Sequence, residues 1–191
     1  MSNPILELLC QRVSSPRLTE PAPDKQALNL IYKSALRAPD HMMLRPWRYL
    51  VIEGDARNKL SDIFLRAAEA KALSLGEPLS DFKVDKLKSM THRAPMIIVA
   101  IASLVEHPKV PEQEQLLSCG VGVGYMLLAL QAQGFGGIWR TGDLAFDQHV
   151  YQDLGLAENE SIVGFLYLGT PAGELKSVPE LNPDDFFRVW Q

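Results

Sequence analysis

Cationic and hydroxyl side chains stand together in a loop near the N-terminus. Arg12, Val13 and Ser14 open the segment RVSSPRLTEPAP, which follows a predicted helix. An arginine beside a hydroxyl can hold a phosphate, because the pair combines positive charge with several donors in a fixed geometry. A surface arginine next to a turn serine fits the same pattern. The segment therefore indicates a phosphate contact only in combination with others.

A second group of polar and aromatic residues lies between a predicted helix and a predicted strand. It is the segment RAPDHMMLRPW, from Arg37 to Trp47. Loops in such positions often carry binding residues. His41 fits either a ligand contact or an ordinary loop histidine, whereas Trp47, at the start of a strand, is typical of a core residue.

A third segment, GFGGIWRTG at 134–142, combines glycines with residue types that suit one ligand. Glycines permit close backbone approach or a positive φ. Trp139, Arg140 and Thr141 offer a flat apolar surface, a cation and a hydroxyl, which suit the ring, the phosphate and the ribityl chain of a flavin. The alternative is a tight turn into a strand that carries a surface arginine.

The sequence lacks the patterns of several other kinds of chemistry. There is no Ser/His/Asp order, HExxH motif, Walker loop or paired-carboxylate spacing, which argues against hydrolases and kinases. Gly120, Gly122 and Gly124 do not complete the GxGxxG dinucleotide fingerprint, since position 125 is tyrosine. Two cysteines without a CxxC motif favour neither a disulfide framework nor a zinc site, and we expect no metal. Both thiols, Cys10 and Cys119, are expected to pack as small apolar residues.

The composition is that of an ordinary globular chain. Its 191 residues are 47% hydrophobic and 22% charged. The net charge of −4 argues against nucleic-acid binding, because phosphate contacts need a basic surface. We expect one domain over residues 1–191, with a C-terminal arm at 171–191. The start, MSNPILELL, does not resemble a signal peptide and no uninterrupted apolar run is long enough to span a membrane, so the cytoplasm is the default expectation.

Helix and strand patterns alternate along the chain and predict a mixed α/β layer architecture. Asn3, Asp24 and Asp147 are predicted helix caps. The longest helix contains the three glycines, each of which costs about 1 kcal/mol relative to alanine; this favours close contact with another helix, in the chain or in a second subunit. The almost uniformly apolar strand 47–53 is expected to be buried on both faces. The predicted helices are 4–11, 24–37, 56–75, 80–90, 111–133 and 147–155, and the other strands are 96–102, 136–140 and 161–169.

The C-terminal tail ends in large apolar residues, namely Phe186, Phe187, Val189 and Trp190. A purely polar tail would be expected to remain disordered. A tail that ends in large apolar residues is expected to pack against a protein surface. Its own domain and a partner subunit are both open as the surface that receives it.

Four stretches occur in an order that resembles the nitroreductase family, and in particular its short YdjA-type subgroup. They are QRVSSPRL, RAPDHMMLRPWRYLVIEG, LALQAQGFGGIWRTG and IVGFLYLGTP. The resemblance covers residues 4–175. It implies the α+β nitroreductase-like fold, in which helices flank a mixed central sheet and the long glycine-containing helix lies at a dimer interface. It also implies a homodimer with FMN bound between the subunits.

The resemblance also implies roles for particular residues. Arg12, Val13 and Ser14 match one flavin-binding segment, Arg37 and His41 match a second, and Trp139, Arg140 and Thr141 match a third that the partner subunit would contribute. A stretch assigned to NAD(P) in relatives matches Ala129, Leu130, Gln131, Ala132, Gln133 and Gly134. Two positions depart from the subgroup, since Val13 stands where a second arginine is usual and Arg45 where glutamine or asparagine is common.

The function expected from the resemblance is an FMN-dependent oxidoreductase. Hydride would pass from NADH or NADPH through the flavin to a nitroaromatic, a quinone or a similar acceptor in a ping-pong cycle. Arg12 and Arg140 would hold the phosphate, and no side chain is assigned as a catalytic acid or base. Two alternatives remain, an FMN-binding sensor or sequestering protein without turnover and a helical interaction module that uses the tail.

Overall fold

A five-stranded sheet forms the centre of the fold in a computed structural model that describes residues 3–191. The strand order is β1-β5-β3-β2, and β4 also pairs with β5. Every pairing in the described residues is antiparallel, so the parallel pairs of a mixed sheet are not found there. The strands are Leu18–Thr19 (β1), Trp47–Glu53 (β2), Met96–Ser103 (β3), Gly136–Arg140 (β4) and Glu160–Pro171 (β5).

The helices begin where the predicted caps place them. The Asn3 carboxamide oxygen accepts from the Ile5 amide at 2.9 Å, and the carboxylates of Asp24 and Asp147 cap their helices in the same manner. These capping predictions are confirmed. The helices are Pro4–Cys10 (α1), Lys25–Ala35 (α2), Ala56–Leu75 (α3), Asp81–Met90 (α4), Glu112–Ala132 (α5) and Gln148–Asp153 (α6).

Two apolar cores lie on opposite faces of the sheet. On one face, α3, α4 and α6 pack over the strands, and the rings of Phe64 and Phe165 meet edge to face at 5.2 Å. On the other face, α2 and α5 pack together over the sheet through residues such as Ile31, Val123 and Leu166. The strands feed both cores because successive side chains point to opposite faces.

The long helix α5 has the length and the apolar composition of a membrane span. In this structure it belongs to the core instead, because eight of its residues are buried against α2 and the sheet. A core helix of a globular protein meets the same criteria of length and composition. The helix therefore gives only weak evidence for a membrane crossing.

Three expectations need correction. Strand β2 is not buried on both faces: it is the edge strand, paired only with β3, and Val51 is 41% exposed. The loop predicted between Arg12 and Pro23 contains the short strand β1, which the isolated pattern Leu-Thr could not reveal. Cys10 is exposed instead of packed, although it and the buried Cys119 are both free thiols.

The C-terminal tail does not dock on its own chain. Its apolar residues are exposed, and the indole of Trp190 is 98% accessible. Of the two surfaces expected to receive the tail, its own domain is therefore not used in this structure.

Candidate functional site

The first predicted segment lies against the start of β4. The Ser15 amide donates a hydrogen bond to the Gly137 carbonyl oxygen at 3.0 Å. A Cβ atom on Gly136 would lie 2.6 Å from the Ser15 hydroxyl oxygen, so only glycine leaves room for the segment at that point. This close approach places Arg12–Ser14 beside β4 of the same chain.

A small cavity opens beside Ser14. It has a volume of about 240 Å³ and lies between the N-terminal segment and the chain that leaves β5. Its lining includes the hydroxyls of Ser14 and Ser15 together with the cations Arg17 and Lys176, and one acid, Glu174. Hydroxyl donors and two cations suit an anionic group. Lys176 was not predicted, because it comes from the opposite end of the chain, and Arg17 was not singled out within the predicted segment.

Strand β4 sends Trp139 and Arg140 to opposite faces of the sheet, as the alternation of a strand requires. The Trp139 ring lies on the α5 side, where a Cβ on Gly120 would be 3.5 Å from its edge. The Arg140 guanidinium lies on the α3–α4 side, 5.8 Å from the centre of the Tyr167 ring. The two side chains therefore leave the strand on opposite faces, although Trp139, Arg140 and Thr141 all belong to the lining of one cavity.

A larger cavity, of about 450 Å³, surrounds the Arg140 side chain. Helices α3 and α4 form one wall, and the end of β4 with Thr141 and Gly142 forms another. The aromatic side chains Phe165 and Tyr167 lie along it. The lining residues include three cations, which are Lys86, Arg93 and Arg140.

The Nε atom of Arg140 is buried and has no hydrogen-bond partner. Buried donors are almost always satisfied, so this one marks a place where a ligand or water supplies an acceptor. The Tyr167 hydroxyl lies near the same positive charges. Burial raises the pKa of its hydroxyl, and the nearby charges of Arg140 and Arg93 act in the opposite direction.

The second predicted segment forms a strained loop. Met42, Met43 and Arg45 have φ values of 62°, 55° and 52°, in the left-handed region that non-glycine residues rarely adopt. The Asp40 carboxylate holds the loop by accepting from the amides of Leu44 at 3.2 Å and Arg45 at 2.7 Å. Strain of this kind concentrates at binding and switch regions.

A cavity of about 600 Å³ adjoins this loop. Arg37, Asp40, Arg45 and Trp47 are among the residues that line it. It shares Arg45 and Trp47 with a neighbouring cavity of about 490 Å³ between α2 and β2. Cationic and aromatic side chains belong to the lining of both cavities.

His41 lies at the side of this loop that faces α5. Its Nδ1 atom is 2.9 Å from a carboxylate oxygen of Glu114, in the first turn of that helix. Both side chains are about half exposed. Glu114 was not predicted, because nothing in the sequence connects two residues so far apart.

The three segments fall into two groups within one chain. Arg12–Ser14 and Trp139–Thr141 are both attached to β4, whereas Arg37 and His41 lie at the strained loop. In the part of the chain that the structure describes, no hydrogen bond or salt bridge joins the two groups. The three segments are therefore not joined into one site by direct polar contacts within the described residues.

The segment matched to NAD(P) forms the last turn of α5 and its end. Leu130 is fully buried in the core, and the side-chain Nε2 of Gln133 donates to the Ala129 carbonyl oxygen at 2.9 Å. The Leu130 side chain therefore cannot touch a nucleotide in this conformation. Ala132 and Gly134 are the exposed positions of the stretch. Across residues 3–191, no cluster of three or more His, Cys, Asp or Glu side chains could hold a metal ion.

Sequence comparison identifies the group of proteins to which this arrangement belongs. The model of the nitroreductase family matches residues 11–170. The chain belongs to the nitroreductase family. It is 43% identical over 180 residues to the Escherichia coli K12 protein named "Putative NAD(P)H nitroreductase YdjA", covering 94% of each chain. It is 37% identical over 166 residues to the Haemophilus influenzae protein named "Putative NAD(P)H nitroreductase", covering 86% of this chain and 87% of that one.

Solved structures of this nitroreductase fold superpose over the whole chain. A nitroreductase-like protein from Bacillus cereus has a TM-score of 0.82 at 21% identity, covering 100% of this chain and 98% of that one. A Desulfovibrio desulfuricans nitroreductase solved in complex with FMN has a TM-score of 0.76 at 22% identity, covering 100% and 99%. The predicted α+β nitroreductase-like fold is confirmed, and the family assignment makes this nitroreductase an oxidoreductase.

Proposed function

We propose that this nitroreductase binds FMN and uses it to pass hydride from NADH or NADPH to a nitroaromatic, a quinone or a similar acceptor. The observation that carries the proposal is the buried, unpartnered Nε of Arg140 in a cavity bounded by cations and aromatic rings. The E. coli relative is named for NAD(P)H, and the D. desulfuricans structure contains FMN. A ping-pong cycle follows if donor and acceptor use the same face of the flavin in turn.

Two cavities along β4 fit the two ends of FMN. The small cavity with its hydroxyls and cations, beside Ser14, suits the phosphate, and the larger one beside Arg140 suits the ring system. Both cavities adjoin residues attached to β4, the small one through Ser15, which bonds to Gly137, and the larger one through Arg140. This placement changes the role expected of Arg140, from the phosphate to the ring, while Arg12 and Ser14 stay at the phosphate.

Bound FMN would supply the redox chemistry, and the protein would supply position and electrostatics. Arg17 and Lys176 would neutralise the phosphate beside Ser14. Phe165 and Tyr167 would exclude water from one side of the ring cavity. No carboxylate or imidazole lines that cavity, which agrees with the absence of an assigned acid or base among the site residues.

We propose further that the protein is a homodimer that uses the exposed face of α5. Leu117, Val121 and Gly124 follow at helical spacing on that face, and the Leu117 side chain is 62% exposed. A Cβ on Gly124 would meet nothing in this chain, so no contact within the chain requires glycine there. A second subunit packed on this face would explain the glycine and could also receive the exposed C-terminal tail.

In such a dimer, the loop with Arg37 and His41 of one subunit would complete the β4 site of the other. This assigns to the loop the partner role that the resemblance gave to Trp139–Thr141. Mixing two inactive variants tests the arrangement. Arg37→Ala and Arg140→Ala subunits should each bind FMN weakly, whereas heterodimers should regain one intact site in two. No recovery in mixed dimers would place both arginines at the same subunit's site or outside it.

The visible spectrum of the purified protein tests the function. We expect flavin absorbance, retained through gel filtration, that bleaches within seconds when NADH or NADPH is added without oxygen. A protein that stays colourless after incubation with FMN would refute the proposal. Bound flavin that neither donor reduces would favour the alternative of an FMN sensor or sequestering protein.

The oligomeric state is tested by sedimentation. Leu117→Asp on the proposed interface should convert a dimer to a monomer, because a carboxylate would be buried without a partner. Leu73→Asp, at an even more exposed position on α3, is the matched control and should leave the dimer intact. A monomeric wild-type protein, or equal behaviour of the two variants, would contradict the proposed interface.

A further inference from the structure

The cavity around Arg140 holds an excess of positive charge. Lys86 comes from α4, Arg93 from the turn after it and Arg140 from β4, and no acidic residue lines the cavity with them. None of the three forms a salt bridge within residues 3–191. Asp143, just beyond Gly142, is bound to the Lys71 ammonium at 3.1 Å.

Three cations that share one cavity repel each other unless an anion lies between them. The repulsion is strongest for Arg140, because its Nε is removed from water and lacks an acceptor. The aromatic wall formed by Phe64, Phe165 and Tyr167 lowers the local polarity and limits screening of these charges. The cavity is therefore arranged to attract negative charge beside an aromatic surface.

We propose that Lys86 and Arg93 are further cofactor-binding residues that, with Arg140, favour the reduced form of the flavin ring over the oxidised form. The inference rests on the proposed FMN site. Reduced flavin carries a negative charge near neutral pH and oxidised flavin does not, so cations at the ring bind the two forms unequally. That difference raises the midpoint potential of the bound flavin and makes the hydride donor a more effective reductant for it.

The size of the effect follows from the exposure of the two new residues. Lys86 and Arg93 are exposed, so solvent weakens their charges and each contributes less than Arg140, whose Nε is buried. We expect loss of both charges to weaken binding of reduced FMN about tenfold more than binding of oxidised FMN. For a two-electron couple, a tenfold change lowers the midpoint potential by about 30 mV.

The experiment compares the wild type with Lys86→Gln, Arg93→Gln and the double variant. Lys88→Gln is the matched control, since it removes the same charge from the same helix outside the cavity. The midpoint potential of the bound flavin is measured by dye equilibration, and the dissociation constants of oxidised FMN and riboflavin by fluorescence quenching. Arg93→Lys restores charge at one position and should recover most of the potential.

The two flavins separate a role at the ring from a role at the phosphate. If the cations face the ring, the variants lower the potential and change FMN and riboflavin affinity alike. An unchanged potential would overturn the inference, and so would a loss of FMN affinity with riboflavin affinity intact, because that pattern places the phosphate in this cavity.

Failure of the inference is distinguishable from failure of the proposed function. A wild-type protein that binds neither flavin refutes both. A wild-type protein that binds and reduces FMN, with a potential insensitive to Lys86 and Arg93, refutes only the role of these two residues. Both side chains are exposed, so thermal unfolding of the flavin-free variants should match the wild type and exclude a folding defect.

Discussion

Trp139 lies across Gly164 of the neighbouring strand, and its indole Nε1 donates a hydrogen bond to the Val163 carbonyl oxygen at 3.2 Å. A Cβ atom at position 164 would lie 2.6 Å from the indole Cδ1 and 2.9 Å from the Arg140 carbonyl oxygen. The absence of a side chain at 164 is therefore what allows the indole to lie on the α5 side. The position of Trp139 in turn fixes the end of β4, from which Arg140 enters the opposite cavity.

Gly164→Ala is expected to displace Trp139 and to strain the pairing of β4 with β5. Overpacking of this kind lowers the free energy of unfolding by about 1–3 kcal/mol, which denaturant titration measures. Gly120→Ala is the control, since its Cβ would make only an ordinary contact of 3.5 Å with the same indole. Equal destabilisation by the two substitutions would show that the close approach at 164 is not what matters.

Gly122 and Gly124, two residues apart in α5, are expected to respond oppositely to alanine. A Cβ on Gly122 would lie 2.7 Å from the Tyr49 hydroxyl and 3.3 Å from the Ala35 carbonyl oxygen, so Gly122→Ala should destabilise the fold. Within the subunit, Gly124→Ala meets nothing and gains about 1 kcal/mol of helix propensity. Denaturant titration of monomeric protein measures the free energy of unfolding of both variants. Loss of the dimer in Gly124→Ala would instead support the proposed interface.

Tyr49→Phe is expected to relieve much of the cost of Gly122→Ala. The Tyr49 hydroxyl is buried without a hydrogen-bond partner, and burial strongly raises its pKa, so its removal costs little. Removing it also gives room to a methyl group at position 122. A double-mutant cycle should therefore show a favourable coupling of about 1 kcal/mol. Strictly additive effects would mean that the alanine contacts the α2 backbone instead.

The helix starts and the apolar strands could be predicted from the sequence because each depends on residues that are close together in the chain. Caps at Asn3, Asp24 and Asp147 and the apolar runs of β3 and β5 depend on neighbouring residues, and their positions are confirmed within one or two residues. The family motifs likewise pointed to the segments that line the cavities. These predictions needed no knowledge of how the elements pack.

Predictions that depended on packing were less complete. Nothing in the apolar run WRYLVIE distinguishes an edge strand from a central one, so the exposure of β2 was missed. Alternation along β4 separates Trp139 from Arg140, although the two are adjacent in the motif. Lys86, Arg93 and Lys176 join the cavities from distant parts of the chain, and only the tertiary structure brings them there.

The Arg48–Glu160 ion pair is expected to make the stability of the fold sensitive to acid. The Arg48 Nε donates to the Glu160 carboxylate at 2.7 Å, and this bond and the Ala157 amide hold the pKa of Glu160 below its ordinary value despite burial. A lowered folded-state pKa means that the stabilisation is present above the unfolded pKa of about 4.3. It is lost as the pH falls through the folded pKa.

Glu160→Gln should therefore be less stable than the wild type at pH 7, by about 2 kcal/mol. The difference should shrink as the pH is lowered toward 3, because the wild-type carboxylate then takes up a proton. Denaturant titrations at several pH values in this range measure the free energy of unfolding of the wild type and of Glu160→Gln, and therefore how each depends on pH. Asp153→Asn, which breaks a more exposed pair with Arg66, is the control and should change stability by less than 1 kcal/mol. Parallel pH profiles for wild type and Glu160→Gln would exclude Glu160 as a source of acid sensitivity.

Arg140→Ala is expected to weaken FMN binding about tenfold or more, because charge-assisted hydrogen bonds contribute about 1.5–3 kcal/mol each. Arg140→Lys should recover only part of this affinity, since an ammonium keeps the charge but cannot place a donor where the buried Nε lies. Fluorescence quenching of added FMN measures the dissociation constants. Arg66→Ala, a surface arginine outside the cavities, serves as the control. Unchanged affinity in Arg140→Ala would remove this residue from the flavin site, and full recovery in Arg140→Lys would show that charge alone, without the donor geometry, accounts for its role.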